Sequence, residues 1–334
     1  MDVSIVVVLV IVFALVFDLT NGWNDASNAI ATIVGTRVMS PWTAILFGAV
    51  LNFAGALFSS EVAKTVGKDI ADPALLSPAV FLAAVVVAPI WITLCTLRGL
   101  PISCSHSLMG GLVGSVIAAE GTEALHSHGV QRIVFGVFTS PVIGFLLGLS
   151  VLVLVSWTCR RMSARWASSV FGKLQLVSAG AMAFSHGTGD AQKAMGIITG
   201  ALISAGLVAD TPDGMPIPLW VRLSCAAAMG IGSAVGGWAV MKTLGSGLAH
   251  LKPYQGFAAE TGAAATILAN TLGGVPISTT HSITGAIMGV GAAHNLKAVR
   301  WGVGKKILMA WVFTFPVCIA GGAALYWLFH ALGL

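Results

Sequence analysis

Long uninterrupted apolar runs constrain this chain more than any other feature. Stretches of roughly the 20 mostly apolar residues needed to cross a bilayer as a helix cover 42–60, 79–97, 102–119, 133–156, 190–208, 217–241, 275–293 and 302–331. Shorter runs occupy 3–17, 26–36, 171–184 and 257–272. Lipid offers no partner to a backbone N–H or C=O, so only helices and closed barrels span. A barrel needs segments of about ten residues that alternate apolar and polar side chains, and the sequence lacks them. A soluble domain is about 25% charged; these 334 residues are 9% charged and 57% hydrophobic. An all-α integral membrane protein is expected, crossing the cell membrane several times with the lipid bilayer as its surroundings. Short runs flanked by polar residues predict broken helices, which are tolerated at membrane depth only inside protein or along a cavity.

Charge and cysteine usage remove other classes. Lys and Arg number 17 against 12 Asp and Glu, a surplus that in a membrane protein records which loops face the cytoplasm and does not imply nucleic acid. The start, Met1-Asp2-Val3, lacks the positive region of a signal peptide. Cys95, Cys104, Cys159, Cys225 and Cys318 show no C-x-x-C spacing, so neither a disulfide framework nor a zinc site is expected.

The chain repeats itself. Pro101-Ile102-Ser103-Cys104-Ser105-His106-Ser107 returns as Pro276-Ile277-Ser278-Thr279-Thr280-His281-Ser282, an offset of 175 residues. The same offset carries Val137-Phe138-Thr139-Ser140-Pro141 onto Val312-Phe313-Thr314-Phe315-Pro316. Asn21-Gly22-Trp23-Asn24-Asp25-Ala26-Ser27-Asn28 matches His186-Gly187-Thr188-Gly189-Asp190-Ala191-Gln192-Lys193 at an offset of 165. A third echo is Lys64-Thr65-Val66-Gly67 against Lys242-Thr243-Leu244-Gly245. The motif order is the same in both halves, which divides the chain into 1–156, a linker 157–170 and 171–334.

Loop charges orient the halves. Loop 120–132 carries Glu120, Glu123 and Arg132, and its counterpart 294–306 carries Lys297, Arg300, Lys305 and Lys306. Equivalent loops of opposite bias face opposite sides of the membrane. The linker, with Arg160, Arg161, Arg165 and Lys173, is then cytoplasmic, and loop 209–216, with Asp210 and Asp213, external. Two inverted-topology repeats follow, with both termini outside, an arrangement typical of secondary transporters whose site lies near the midplane.

The densest polar cluster in the apolar chain is Asn21, Asn24, Asp25 and Asn28. Positions 21, 25 and 28 share one helical face, and the second half repeats that face with His186, Asp190 and Lys193. An ionised carboxylate inside a bilayer costs at least about 2.5–3.5 kcal/mol, so two at equivalent positions require a cation, a proton or a salt bridge. The bland alternative is that Asn24 and Asp25 cap a helix; the repetition favours a substrate or ion site, with a sodium ion near Asp25 and Asn28 as one form of it.

Each Pro-Ile-Ser motif follows an apolar helix after a tight turn, Arg98-Gly99-Leu100 or Gly273-Gly274-Val275. This predicts paired helical hairpins, the second with an uncharged tip suited to burial. Proline fits a first helical turn, where its missing N–H is not needed. Helix N-termini bind anions, so two tips with the hydroxyls of Ser103, Ser105, Ser278, Thr279 and Thr280 are expected to grip one tetrahedral oxyanion. The competing reading has these hydroxyls capping their own helices. His106 and His281 are coupling candidates or structural histidines, and Glu260 is a lone intramembrane acid, either functional or paired with a neighbouring Lys or Arg. Asn52 reads as an interhelical hydrogen-bonder. The many small residues read as helix packing, compatible with a homodimer.

At these residues the sequence resembles the PiT family of inorganic phosphate transporters, which carries a G-A-N-D-V-A-N-type signature and a P-[IV]-S-x-[TS]-H tip in each half. Gly22, Asn24, Asp25 and Asn28 match the first signature, and Phe257 to His281, including Glu260, resembles the second-half block. The resemblance implies an inverted-repeat fold and cotransport of phosphate with a cation. In the second signature Gly189 stands where many sodium-coupled members carry Asn, and Lys193 replaces the final Asn. This H-G-x-x-D-x-Q-K form, which includes Gln192, looks like bacterial low-affinity permeases associated with protons and neutral metal–phosphate complexes. A Lys193 ammonium three residues from Asp190 also takes the position of a cation, so proton coupling is expected over sodium, with no cofactor.

Other functions fit less well. Sulfate is the runner-up substrate, since hydroxyl and N–H donors accept either oxyanion; only hydrogen phosphate also donates a hydrogen bond to Asp25 or Asp190. A hydrolase using Ser103 or Ser278 with a histidine needs an oriented base and gains nothing from a duplicated nucleophile. A passive channel is the remaining alternative.

Overall fold

The structure, a computed structural model, describes residues 3–209 and 215–334; Asp210 and Asp213 of the expected external loop lie outside them. No strand occurs among the described residues. The first half contains α1 (Val3–Gly35), α2 (Pro41–Ala56), α3 (Glu61–Lys64), α4 (Pro78–Leu97), α5 (Cys104–Glu120) and α6 (Ser127–Thr158). The second contains α7 (Ala164–Ser204), α8 (Leu219–Val235), α9 (Trp238–Lys242), α10 (Pro253–Leu272), α11 (Thr279–His294) and α12 (Trp301–Ala331). Each short helix, α3 and α9, runs straight into a π-helical turn, Thr65–Asp69 and Thr243–Gly247. The two halves therefore use the same elements in the same order.

Packing partners are exchanged between the halves. Helix α1 packs on α8 while α7 packs on α2, and α5 lies on α12 while α11 lies on α6. The signature glycines allow the first pair of crossings. A Cβ on Gly22 would stand 2.4 Å from the Met229 carbonyl oxygen, and one on Gly187 2.0 Å from that of Asn52. Only glycine permits backbones this close.

The hairpin turns are held the same way. Gly99 and Gly274 supply the left-handed backbone of the two turns, at φ of 65° and 67°. Thr65 donates to the Gly274 carbonyl at 2.8 Å, and Thr243 donates to the Gly99 carbonyl at 2.9 Å. Each half's π turn thus fastens the other half's hairpin, which gives the third sequence echo its structural meaning.

Helix breaks occur, but not where the short apolar runs placed them. Runs 3–17 and 26–36 belong to one continuous helix, and 171–184 and most of 190–208 to another, whose helical turns already begin at Ala164. The polar cluster between the runs does not interrupt either helix, because its side chains find partners on other helices and neither segment contains proline. The breaks fall after α2 and α8, where the chain bends by 66° and 62° before the short helix and π turn. Gly236, at φ 72°, makes the second bend.

Four helices are long and apolar enough to cross a membrane, or six when each bent pair counts as one span. Large apolar side chains such as Phe135, Phe138, Val312, Phe313 and Trp327 point outward, while Asn24, Asp25, His186, Asp190 and Lys193 are buried. This distribution suits a lipid surround. The chain is a multi-pass membrane protein.

Candidate functional site

Helices α1 and α7 run antiparallel at the centre of the molecule: Thr32 of α1 and Ser178 of α7 meet on one carboxylate, and Asp25 of α1 reaches His186 further along α7. Regular helical spacing stacks the polar residues of each into a stripe. The side chains at the middle of the two stripes meet, at most 1% exposed. His186 Nε2 lies 3.7 Å from Asp25 Oδ2 and 3.3 Å from Asp190 Oδ2. Lys193 donates to Asp190 and to the Ser105 hydroxyl. The same imidazole is anchored from behind: its Nδ1 is 2.9 Å from Asn52 Oδ1, an acceptor, so Nδ1 carries the proton and Nε2 turns toward the two acids. Asn52 also donates to Ser233 at 3.0 Å, so it joins α2, α7 and α8 as the interhelical hydrogen-bonder expected of it.

Both hairpin tips close on this cluster. Thr279 Oγ1 lies 3.1 Å from Asp190 Oδ2 and 3.5 Å from Asp25 Oδ2. Thr280 Oγ1 stands 3.0 Å from Asp25 Oδ1 and 2.9 Å from the Ile102 carbonyl oxygen, and accepts from Asn28 Nδ2 at 3.0 Å. With one proton, that hydroxyl serves one acceptor at a time. Ser105 returns the contact by donating to the Ile277 carbonyl at 3.1 Å. The N-termini of α5 and α11 therefore meet tip to tip over Asp25 and Asp190.

The remaining residues singled out in the sequence have other surroundings. Ser103 and Ser278 are N-caps, each accepting at 3.2 Å from the backbone N–H of His106 or His281. Those hydroxyls serve helix starts, not a nucleophile–histidine pair. Gln192 accepts from the backbone of Val62 at 2.7 Å and Ala63 at 3.1 Å, where it holds the start of α3. Asn24 donates to Thr96 at 2.6 Å; Asn24 and Asp25 lie inside α1, so neither caps a helix. His106 and His281 pack edge to face at 4.6 Å between ring centroids, and both line a cavity of about 890 Å³ walled mainly by apolar side chains of α6 and α12. Glu260 accepts from Gln175 Nε2 at 3.0 Å and from Thr32 and Ser178, so hydroxyls and an amide surround it instead of Lys or Arg.

Several buried polar atoms in this region receive no protein hydrogen bond. They include both amide atoms of Asn21, the Oδ1 atoms of Asn24 and Asn28, and His186 Nε2, while the carboxylate of Asp18 has the weak thiol donor of Cys225 beside it. Asp18 is the residue that motif reading passed over. It lies seven positions before Asp25, two helical turns away on the same face, and extending the stripe by those turns finds it.

Chemically, the cluster places two carboxylates against one ammonium, with an imidazole between them. Ligand atoms of Asp25, His186 and Asp190 all lie within 4.8 Å of one another, close enough to share a proton or a metal ion. Hydroxyls and the paired helix starts supply donors for an oxyanion beside that cation.

Comparison with known proteins identifies the family. A family model described as "Phosphate transporter family" matches residues 21–322. A Rhizobium meliloti protein named "Probable low-affinity inorganic phosphate transporter" is 44% identical, over 95% of this chain and 94% of its own. A Bacillus subtilis protein of the same name is 40% identical over 99% of this chain and all of its own. A solved structure titled "The sodium-dependent phosphate transporter" superposes with a TM-score of 0.88 at 26% identity, covering 98% of this chain and 99% of that one. These relatives are named for transport and not for catalysis. The chain belongs to the phosphate transporter family.

Proposed function

We propose that this protein imports inorganic phosphate by symport with a cation, and that the proton is that cation. The substrate cradle is formed by Asp25, Asn28, Asp190 and Lys193 with Ser105, Thr279 and Thr280 of the two tips. The observation that carries this reading is the convergence of both signatures and both hairpin tips on one buried cluster. Lys193 brings a fixed positive charge that attracts phosphate and neutralises Asp190. Asp25 and Asp190 accept the hydrogen bond that hydrogen phosphate donates and sulfate lacks.

Two features favour the proton over sodium. The Lys193 ammonium sits on Asp190, where it takes up an oxygen that a sodium ion would need. His186 stands between both acids with Nε2 turned to them, so one proton there balances the second carboxylate. The sodium-dependent structural relative supports sodium as the second reading. The Asp25–His186–Asp190 grouping also suits a divalent ion entering with phosphate as a neutral complex.

The inverted arrangement of 1–156 and 171–334 is part of the proposal. Exchanged packing partners, reciprocal Thr65 and Thr243 bonds, and opposite loop charges support it. Alternating access then moves the two-tip assembly relative to its surroundings.

The test is labelled phosphate uptake into liposomes under imposed gradients. Accumulation driven by a pH gradient without sodium, inhibited by excess arsenate and indifferent to sulfate, is the expected result. Accumulation that needs a sodium gradient and ignores pH overturns the proton assignment, and block by sulfate alone overturns the substrate.

A further inference from the structure

The stripe on α1 holds three acidic levels, not one. Asp25 marks the centre. Thr32, seven residues further along, binds Glu260, and Asp18 lies seven residues the other way. Seven residues are about 10 Å along a helix, so Glu260 and Asp18 flank the central cluster at similar distances on opposite sides. The two flanks differ in their partners. Glu260 is surrounded by the donors of Thr32, Gln175 and Ser178. Asp18 is fully buried, and among the described residues the weak thiol donor of Cys225 is the hydrogen-bonding group beside its carboxylate, with no hydroxyl, amide or ammonium bonded to it.

The surroundings of Asp18 point to a small cation. Asn21, one turn along the same face, is also fully buried with its amide oxygen and nitrogen both unpartnered. The Cys225 thiol of α8 faces the carboxylate, and the charged groups acting on it from α7 are Asp190 and Lys193 of the central cluster. Among the described residues no cation pairs with Asp18 as Lys193 pairs with Asp190. A carboxylate at membrane depth, with no fixed countercharge, binds a proton or a metal cation or is kept permanently neutral.

We propose that Asp18, with the Asn21 side chain, is a second cation station, which passes the coupling ion between the central cluster and the face of the membrane opposite Glu260. Its ligand is a monovalent cation, the proton or sodium. This inference rests on the symport reading above and adds where the ion is held on the second side. Asp190 and Lys193 are near enough to link occupation of the station to the state of the substrate cradle.

The experiment is the coupling ratio in liposomes. Wild type and Asp18→Asn are reconstituted, and labelled phosphate uptake is measured together with proton entry, by a trapped pH dye, and with labelled sodium entry. The ion that enters with phosphate in the wild type identifies the cation. In Asp18→Asn the number of cations per phosphate is expected to fall at least twofold, and in Asp18→Glu, which keeps the carboxylate, to return toward wild type. An unchanged ratio in Asp18→Asn overturns the inference while the symport reading stands. A wild type that accumulates phosphate under neither gradient overturns the symport reading, and the station with it. Should Asp18→Asn fail to fold, dicyclohexylcarbodiimide labelling of the wild type followed by peptide mass spectrometry decides. Modification of Asp18, suppressed by raised pH for a proton site or by sodium for a sodium site, supports the station; an unmodified Asp18 overturns it.

Discussion

Lys193 donates to Asp190 from one turn further along α7, and both side chains are 1% exposed. Removing one member of a buried ion pair leaves an uncompensated charge and costs about 3–5 kcal/mol, whereas replacing both by neutral groups is often nearly neutral. Lys193→Met is therefore expected to lower the melting temperature strongly, and Lys193→Met combined with Asp190→Asn to recover most of the loss. Phosphate uptake is expected to stay absent in both. Thermal unfolding in detergent beside liposome uptake checks this; a double variant no more stable than Lys193→Met contradicts the pairing.

The reciprocal bonds of Thr65 and Thr243 make a symmetric prediction. Valine keeps the shape and removes the donor, leaving the Gly274 or Gly99 carbonyl without it at a cost of about 1–3 kcal/mol. Thr65→Val and Thr243→Val are expected to destabilise to a similar degree and to loosen the opposite half's hairpin. Hydrogen exchange, read at residues 270–282 for the first variant and 95–107 for the second, locates the effect. Loosening confined to the variant's own half contradicts the exchange.

Signature glycines provide a packing test. A methyl group on Gly22 or Gly187 would overlap a carbonyl oxygen of the facing helix at 2.4 or 2.0 Å. Overpacking of this kind costs about 1–3 kcal/mol or more. Gly22→Ala and Gly187→Ala are both expected to lower the melting temperature, while Gly172→Ala, which meets no neighbouring atom, leaves it near wild type.

How far the sequence carried this reading depended on repetition. Paired motifs at constant offsets singled out the two hairpin turns and the acids Asp25 and Asp190, which the structure brings together around His186. Helix continuity was not legible. Asn21 to Asn28 reads as an interruption when hydropathy alone is considered, yet the partners that accommodate these side chains, Thr96 and Thr280, come from 72 and 252 residues away. Roles of individual hydroxyls were equally hidden. Ser103 and Thr279 stand one position apart in equivalent motifs, yet one closes a helix start and the other faces two carboxylates. Asp18 escaped notice because it has no counterpart in the second half, where the equivalent position is Ala183.

The most direct test of the central claim, that Asp25 and Asp190 belong to one phosphate site, is counterflow of labelled phosphate in liposomes. Wild type is compared with Asp25→Asn and with Asp190→Asn. Each single substitution is expected to reduce counterflow by roughly a hundredfold, equivalent to about 2.7 kcal/mol, while the purified protein still unfolds cooperatively on heating. Wild-type counterflow in either folded variant would contradict the account.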